Sequence, residues 1–292
     1  MLRLISFLYI VVLCALTVLA QEPELQPNPK TPVWSSVFKG VEKTQAVSTQ
    51  PRLQQVFAVR IDTQSKGIAF FTTPKTNENY QTDKKETVRQ RTNEFLKEHQ
   101  LQVAVNANFF SVPAGEKYSL PGIADVSGLA VSDGIIVSPP NEQFPAAFLV
   151  LKTGQVLLKD CSDIGTDLSG IQIAVTGNRF ILQNGTVIPQ TNKDIHPRTL
   201  CGLSQDNRYV IWVVIDGRRK DYSEGATYEE SAQWLRYFNA WDGLNLDGGG
   251  SSTLVVQGKN DNIEILNRPS DNSLRYNANN IGIKALPLSQ VD

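Results

Sequence analysis

Between Gly243 and Leu254 the chain reads Gly-Leu-Asn-Leu-Asp-Gly-Gly-Gly-Ser-Ser-Thr-Leu. A short apolar strand delivers Asp247, three glycines then remove side chains, and two serines add hydroxyls before apolar residues resume. An ordinary strand connection needs one or two glycines for positive φ. Three between a carboxylate and two hydroxyls suggest a ligand cradle, whose exposed N–H groups suit an anionic oxygen. Gly248, Gly249, Gly250 and Ser251 are therefore expected to bind substrate beside Asp247; the plainer alternative is a tight hairpin with spare glycine.

Three further polar clusters interrupt apolar strands: Asn106 and Asn108 after Val105, His196-Pro197-Arg198-Thr199 before Leu200, and Asp216-Gly217-Arg218-Arg219 after Ile215. Polar residues at strand ends are where a rigid sheet can aim side chains into one cleft. Arg198 is the best anion ligand, because its planar fork takes two phosphate or carboxylate oxygens at once; otherwise it pairs with a buried acid. Asp216 is either a second carboxylate for the chemistry or a turn former. Arg218, Arg219 and Lys220 read as a solvated loop, one member of which could steer a phosphate. His99 and His196 are the only histidines and no CxxC pair occurs, which argues against a zinc site or a histidine triad.

The elements that must position these groups are mostly strands. Residues 55–61 and 67–71 flank a polar turn and suggest a hairpin. Ser132-Asp133-Gly134, Lys152-Thr153-Gly154 and Gln183-Asn184-Gly185-Thr186 join further strand pairs; Asn184-Gly185-Thr186 is also a glycosylation sequon. Two helices are expected. Residues 83–99 carry an Asp83/Glu86 capping pattern, and 228 to about 239 carry a Thr227/Glu230 capping box with a stripe through Tyr228, Ala232 and Leu235. Glu230 is assigned to that cap. Many strands, two helices and no βαβ alternation predict an α+β fold, a single domain with a mainly antiparallel or mixed sheet and a few packed helices.

The chain has 292 residues and a formal net charge of −1, with charges interspersed. No basic block marks a nucleic-acid partner, so any phosphate must be held locally. Residues 1–20 read as a secretory signal peptide: one early Arg3, an apolar run from Leu4 to Leu19, and a cleavage point at Ala20-Gln21. A periplasmic or extracellular location is expected, with no stable membrane insertion after signal removal; a retained anchor is the less favoured alternative, because the apolar run is shorter than a spanning helix. Residues 21–50 are expected to be a linker, rich in Pro, Gln and Glu to about Thr31, followed by the first strand region. Residues 51–285 form the main domain. Cys161 and Cys201 could form one disulfide or remain buried thiols.

Taken in order, the clusters resemble the phosphodiester glycosidase family, which includes the enzyme that uncovers mannose 6-phosphate by removing N-acetylglucosamine from a phosphodiester. The matching pieces are Asn106-Ala107-Asn108-Phe109-Phe110, His196-Pro197-Arg198-Thr199, Ile215-Asp216-Gly217-Arg218, Ser223 to Thr227 leading into Glu230, and Asn245 to Thr253. Pro269-Ser270-Asp271 is a weaker tail match. Relatives commonly carry Gly at the position of Asn108, so that corner is bulkier here.

The resemblance implies an exported hydrolase that cleaves a sugar-1-phosphodiester and releases the sugar from a small or polymeric phosphorylated glycan. The leaving phosphate monoester is far less basic than a sugar alkoxide, so a strong general acid is less necessary than in ordinary glycoside hydrolysis. On this reading Arg198 and the amides of Gly248 to Ser251 hold the phosphate, with the Thr199 and Ser251 hydroxyls. Asp247 is base, nucleophile or stabiliser of the oxocarbenium-like sugar, Asp216 is the second carboxylate, and Asn106 and Asn108 contact the sugar. No cofactor is required, although Asp247, Asp216 and the Asp261-Asn262 region offer oxygens to Ca²⁺ or Mg²⁺. A non-catalytic envelope or exopolysaccharide-binding protein using the same cleft is the alternative. A nucleotide binder lacks its phosphate-loop motifs.

Overall fold

The computed structural model describes residues 24–76 and 86–288. Tyr209–Ile215, Tyr-Val-Ile-Trp-Val-Val-Ile, shows why the architecture is layered. Alternate residues of a strand point to opposite faces, and here both faces are apolar. Val210, Trp212 and Val214 enter one core, while Ile211, Val213 and Ile215 enter another. The strand is therefore central in a sheet covered on both sides.

That sheet has nine antiparallel strands. Its path runs Pro27–Asn28, Val41–Ser48, Gln54–Asp62, Tyr209–Ile215, Arg198–Leu203, Asp242–Asn245, Arg179–Gln183 and Thr186–Val187, with Ser35–Phe38 beside Val41–Ser48. One face packs against two five-stranded sheets. The first is ordered Ile135–Ser138, Ala130–Ser132, Ile171–Gly177, Ala146–Leu151, Val156–Asp160; the second Ile263–Ile265, Leu254–Gln257, Val103–Asn106, Asn280–Lys284, Ala69–Thr72. Phe70 joins all three, with its ring centroid 5.5 Å from that of Phe148 and 6.2 Å from that of Trp212. The opposite face is covered by helix α2, Tyr228–Tyr237, through Trp234, Leu235 and the following Phe238. A small sheet of Thr87–Val88, Ile123–Val126 and Phe110–Ser111 completes the set.

The described fold is mainly β rather than α+β. Its two α-helices are short, and every strand pairing named above is antiparallel. Helix α2 starts where its capping box predicts: the Thr227 hydroxyl accepts from the Glu230 amide at 3.2 Å, and Glu230 accepts from the Thr227 amide at 3.0 Å. The expected hairpin turns at 132–134, 152–154 and 183–186 also form.

Three expectations fail. The first helix, α1, covers only Thr92–Glu98. Asp83 lies outside the described residues, and Glu86 accepts the Val126 amide at 2.8 Å instead of capping a helix. The strands on either side of residues 62–68 do not pair with each other: Gln54–Asp62 joins the large sheet and Ala69–Thr72 pairs with Asn280–Lys284. Finally, the described part of the supposed linker is docked. Leu25 is buried, its amide donates to Gln233 Oε1 at 3.0 Å, and Pro27–Asn28 pairs with the Val47–Ser48 end of its neighbouring strand. One apolar anchor and backbone pairing outweigh the polar composition. Cys161 and Cys201 are both free thiols, the latter fully buried in the core.

Candidate functional site

Three chain segments meet at the end of the large sheet. Pairing places Leu200 opposite Asn245, and beyond the strand the Leu246 amide donates to Thr199 O at 2.9 Å. The Asp247 amide then donates to Ala107 O, and Gly249 to Pro197 O, each at 2.9 Å. Segments 106–107, 197–199 and 246–249 are thereby locked together through their backbones.

Of the two asparagines expected to touch sugar, Asn106 serves this lock and Asn108 ties its strand end to the neighbouring sheet. Asn106 Nδ2 donates to Asp247 O at 2.6 Å, while its Oδ1 accepts from Thr199 Oγ1 at 2.8 Å and the Thr253 amide at 3.1 Å. Thr199 Oγ1 is also 3.2 Å from Ser252 Oγ. Asn108 Nδ2 donates to Ser127 O, Leu129 O and Thr176 Oγ1, and its Oδ1 accepts from the Thr176 amide and Asn279 Nδ2. All three residues are buried. Their polar atoms are committed inside the protein, because a buried amide must be paired where it sits.

Asp247 heads the Gly249–Ser251 3₁₀ turn. Burial pushes its carboxyl up to about 6, opposed by the Ser251 hydroxyl, the Arg275 charge and the Gly248 amide. Ser251 Oγ is buried without a regular hydrogen bond, so its influence on the carboxyl is that of a nearby dipole. A carboxyl in this range can hold or release a proton near neutrality.

Most of the turn's amides are already engaged. Gly248 N–H serves the Asp247 carboxyl, Gly249 N–H serves Pro197 O, and Ser251 N–H serves Gly248 O. What the missing side chains admit is charge from two neighbouring loops. A Cβ on Gly249, whose φ is +63°, would stand 2.9 Å from Arg218 Nη2, and one on Gly250 would collide with Asp271 Oδ2 and Arg275 Nη2. Arg218 itself holds a positive φ of 61°, a conformation a non-glycine residue adopts at a cost. Arg275 donates to Asp271 Oδ2 through Nε at 3.1 Å and Nη2 at 2.6 Å, and its guanidinium lies 5.1 Å from the Tyr118 ring centroid. Arg218 Nη1 stands 3.9 Å from Asp271 Oδ1.

Arg198 takes another direction. Its Cα lies beside Gly248, but its guanidinium stacks on Tyr228 at 4.0 Å and donates to Ala226 O at 2.9 Å and Asp194 O at 2.6 Å. It shares its strand face with Leu200, toward α2, and braces the 194–198 loop there. The arginine whose field reaches Asp247 is Arg275. Asp216 is buried and occupied: Oδ1 accepts from Asn267 Nδ2 at 2.9 Å, and Oδ2 from the Arg268 amide at 2.8 Å and Tyr222 OH at 3.0 Å. It anchors the loop that carries Asp271 and Arg275. Burial raises its pKa, and those three donors pull it back. No group of three or more His, Cys, Asp or Glu side chains gathers for a metal among the described residues.

The structure therefore brings together Asp247, the glycine turn, Ser251 and Arg218, and adds Arg275 and Asp271. Arg275 was not singled out in the sequence; its i, i+4 spacing from Asp271 was the available signal. A family model for phosphodiester glycosidases matches residues 99–284. The chain belongs to the phosphodiester glycosidase family.

This family assignment agrees with the shape of the molecule. The fold is similar to that of the zebrafish N-acetylglucosamine-1-phosphodiester alpha-N-acetylglucosaminidase catalytic domain, auto-inhibited by its pro-peptide, at 19% identity and a TM-score of 0.63, covering 87% of this chain and 88% of that one. It is also similar to a hypothetical protein from Synechocystis (15% identity, 84% and 62% coverage, TM-score 0.59). A Burkholderia pseudomallei K96243 protein is similar as well (12% identity, 90% and 97% coverage, TM-score 0.64). No curated protein matches the sequence significantly.

Proposed function

We propose that this phosphodiester glycosidase family member is an exported hydrolase that cleaves a sugar-1-phosphodiester and releases the sugar. The observation that carries the reading is the Asp247 carboxyl, held near 6, heading a bare glycine turn on which two guanidiniums lie. Arg218 and Arg275 take the place that sequence reasoning gave to Arg198. They supply positive potential to a departing phosphate, which gains charge as the glycosidic bond breaks. Asp247, mostly ionised at neutral pH, assists the attacking water or meets the developing positive charge of the sugar. The reading is supported by family membership and by this charge arrangement. Export rests on the sequence of residues 1–20, which lie outside the described residues. No helix among the described residues is long and apolar enough to cross a membrane.

The test is a panel of sugar-1-phosphodiesters, with free sugar as readout. Turnover of at least one is expected. Arg275→Ala and Arg218→Ala should each lower kcat/KM by about 10²-fold or more, the scale for removing one preorganised donor to developing charge. Tight binding across the panel without sugar release would overturn catalysis in favour of a glycan-binding role.

A further inference from the structure

We infer that Asp271 determines which phosphate esters the site accepts, favouring a singly charged phosphodiester over a doubly charged monoester. The inference rests on the phosphodiester reading above and extends it to the choice of anion. Asp271 lies on the glycine turn between the two arginines. Its Oδ2 takes both Nε and Nη2 of Arg275, its Oδ1 faces Arg218 at 3.9 Å, and its Oδ2 and Arg275 Nη2 fill the space a Gly250 side chain would need. Both prongs of the Arg275 fork converge on the single Oδ2, a charge-assisted contact of the kind a phosphate oxygen also makes. A substrate oxyanion drawn to the same arginines would lie beside this carboxylate.

The charges on the turn set the preference. The two guanidiniums and Asp271 leave a single positive charge, which the ionised Asp247 offsets at neutral pH, so the turn has no surplus charge with which to hold a dianion. Arg219 and Arg268 are directed elsewhere: Arg219 donates to Arg268 O, Pro269 O and Asn272 Oδ1, and Arg268 lies 5.5 Å from the Tyr222 ring centroid. Asp271 is about one-third exposed, so its effect is partly screened. One like-charge contact at ~5 Å in such a half-wet site costs about tenfold in affinity.

The same arrangement aids turnover. In the reaction the water oxygen bonds to the anomeric carbon and the bond from that carbon to the phosphate oxygen breaks. The bonding pair leaves with the phosphate and a water proton is released. The phosphate thereby gains its second negative charge, and the carboxylate that tolerated the diester repels the product.

The experiment titrates the full chain, at a pH where the monoester is dianionic, with dimethyl phosphate and with methyl phosphate, followed by phosphorus NMR. The wild type should bind the diester at least as tightly as the monoester. Asp271→Asn should tighten the monoester about tenfold and the diester less than threefold, while Asp271→Glu keeps the wild-type ratio. An unchanged ratio in Asp271→Asn, an equal gain for both probes, or no binding of either by the wild type would overturn the inference. Melting curves establish that each variant is folded. Sugar release is assayed separately: absence of turnover with the expected shift in probe ratio sinks the hydrolase reading and leaves the anion selection standing.

Discussion

Replacing Asp247 by Asn should stabilise the protein at neutral pH while removing its activity. Burial raises the carboxyl from the ordinary 3.8 to about 6, a rise of about two units. At ~1.4 kcal/mol per unit, the ionised group costs the folded state about 3 kcal/mol. Part of the residue remains open to water, which trims this to about 1–3 kcal/mol. The sign follows from proton counting. Between the unfolded and folded pKa values the folded state binds more protons, so stability falls as pH rises through ~4 to ~6 and stays reduced above. Asn mimics the protonated acid and escapes the penalty. Urea unfolding at about pH 7.5 should show the gain, and at about pH 4 the two proteins should coincide. Equal stability at both values, or a loss at the higher, would refute the desolvated carboxylate on which the chemistry depends.

Other consequences are accessible. Asn108→Ala strands the Thr176 amide and the Asn279 side chain, and should cost about 2–4 kcal/mol in urea unfolding; normal stability with a raised KM would restore a sugar contact. Gly249→Ala combines a φ of +63° with a 2.9 Å approach to Arg218, so we expect a loss of about 1–2 kcal/mol and weaker sugar release. If the activity loss were absent, Arg218 would not act at the turn. With Asp247 working as the ionised form, kcat/KM should fall as pH drops through about 6. A profile flat across that range would remove the carboxylate from the rate-determining chemistry.

Features decided within a few residues were legible. Helix α2 announces itself through Thr227, Glu230 and its apolar stripe, and the turns at Asp133-Gly134 and Asn184-Gly185 pair strands adjacent in the chain. The hairpin expected across residues 62–68 fails because better partners lie far away: Tyr209–Ile215 for one strand and Asn280–Lys284 for the other. The helix expected from Asp83 begins nine residues later, and the Pro- and Gln-rich segment docks because Leu25 finds a buried place beside Gln233.

Residue chemistry picked out Asp247, its glycines and the family, because a carboxylate beside bare backbone is rare and its types are readable in one dimension. Tertiary structure alone decided which charges meet there. Arg198 and Arg275 are equally basic on paper, yet Tyr228 and two carbonyls draw one away, while Asp271 and the room left by Gly250 bring the other onto the turn. A side chain's direction at a strand end depends on which face is packed and what partners lie there. Those partners, distant along the chain, exist only once the sheets have closed on one another.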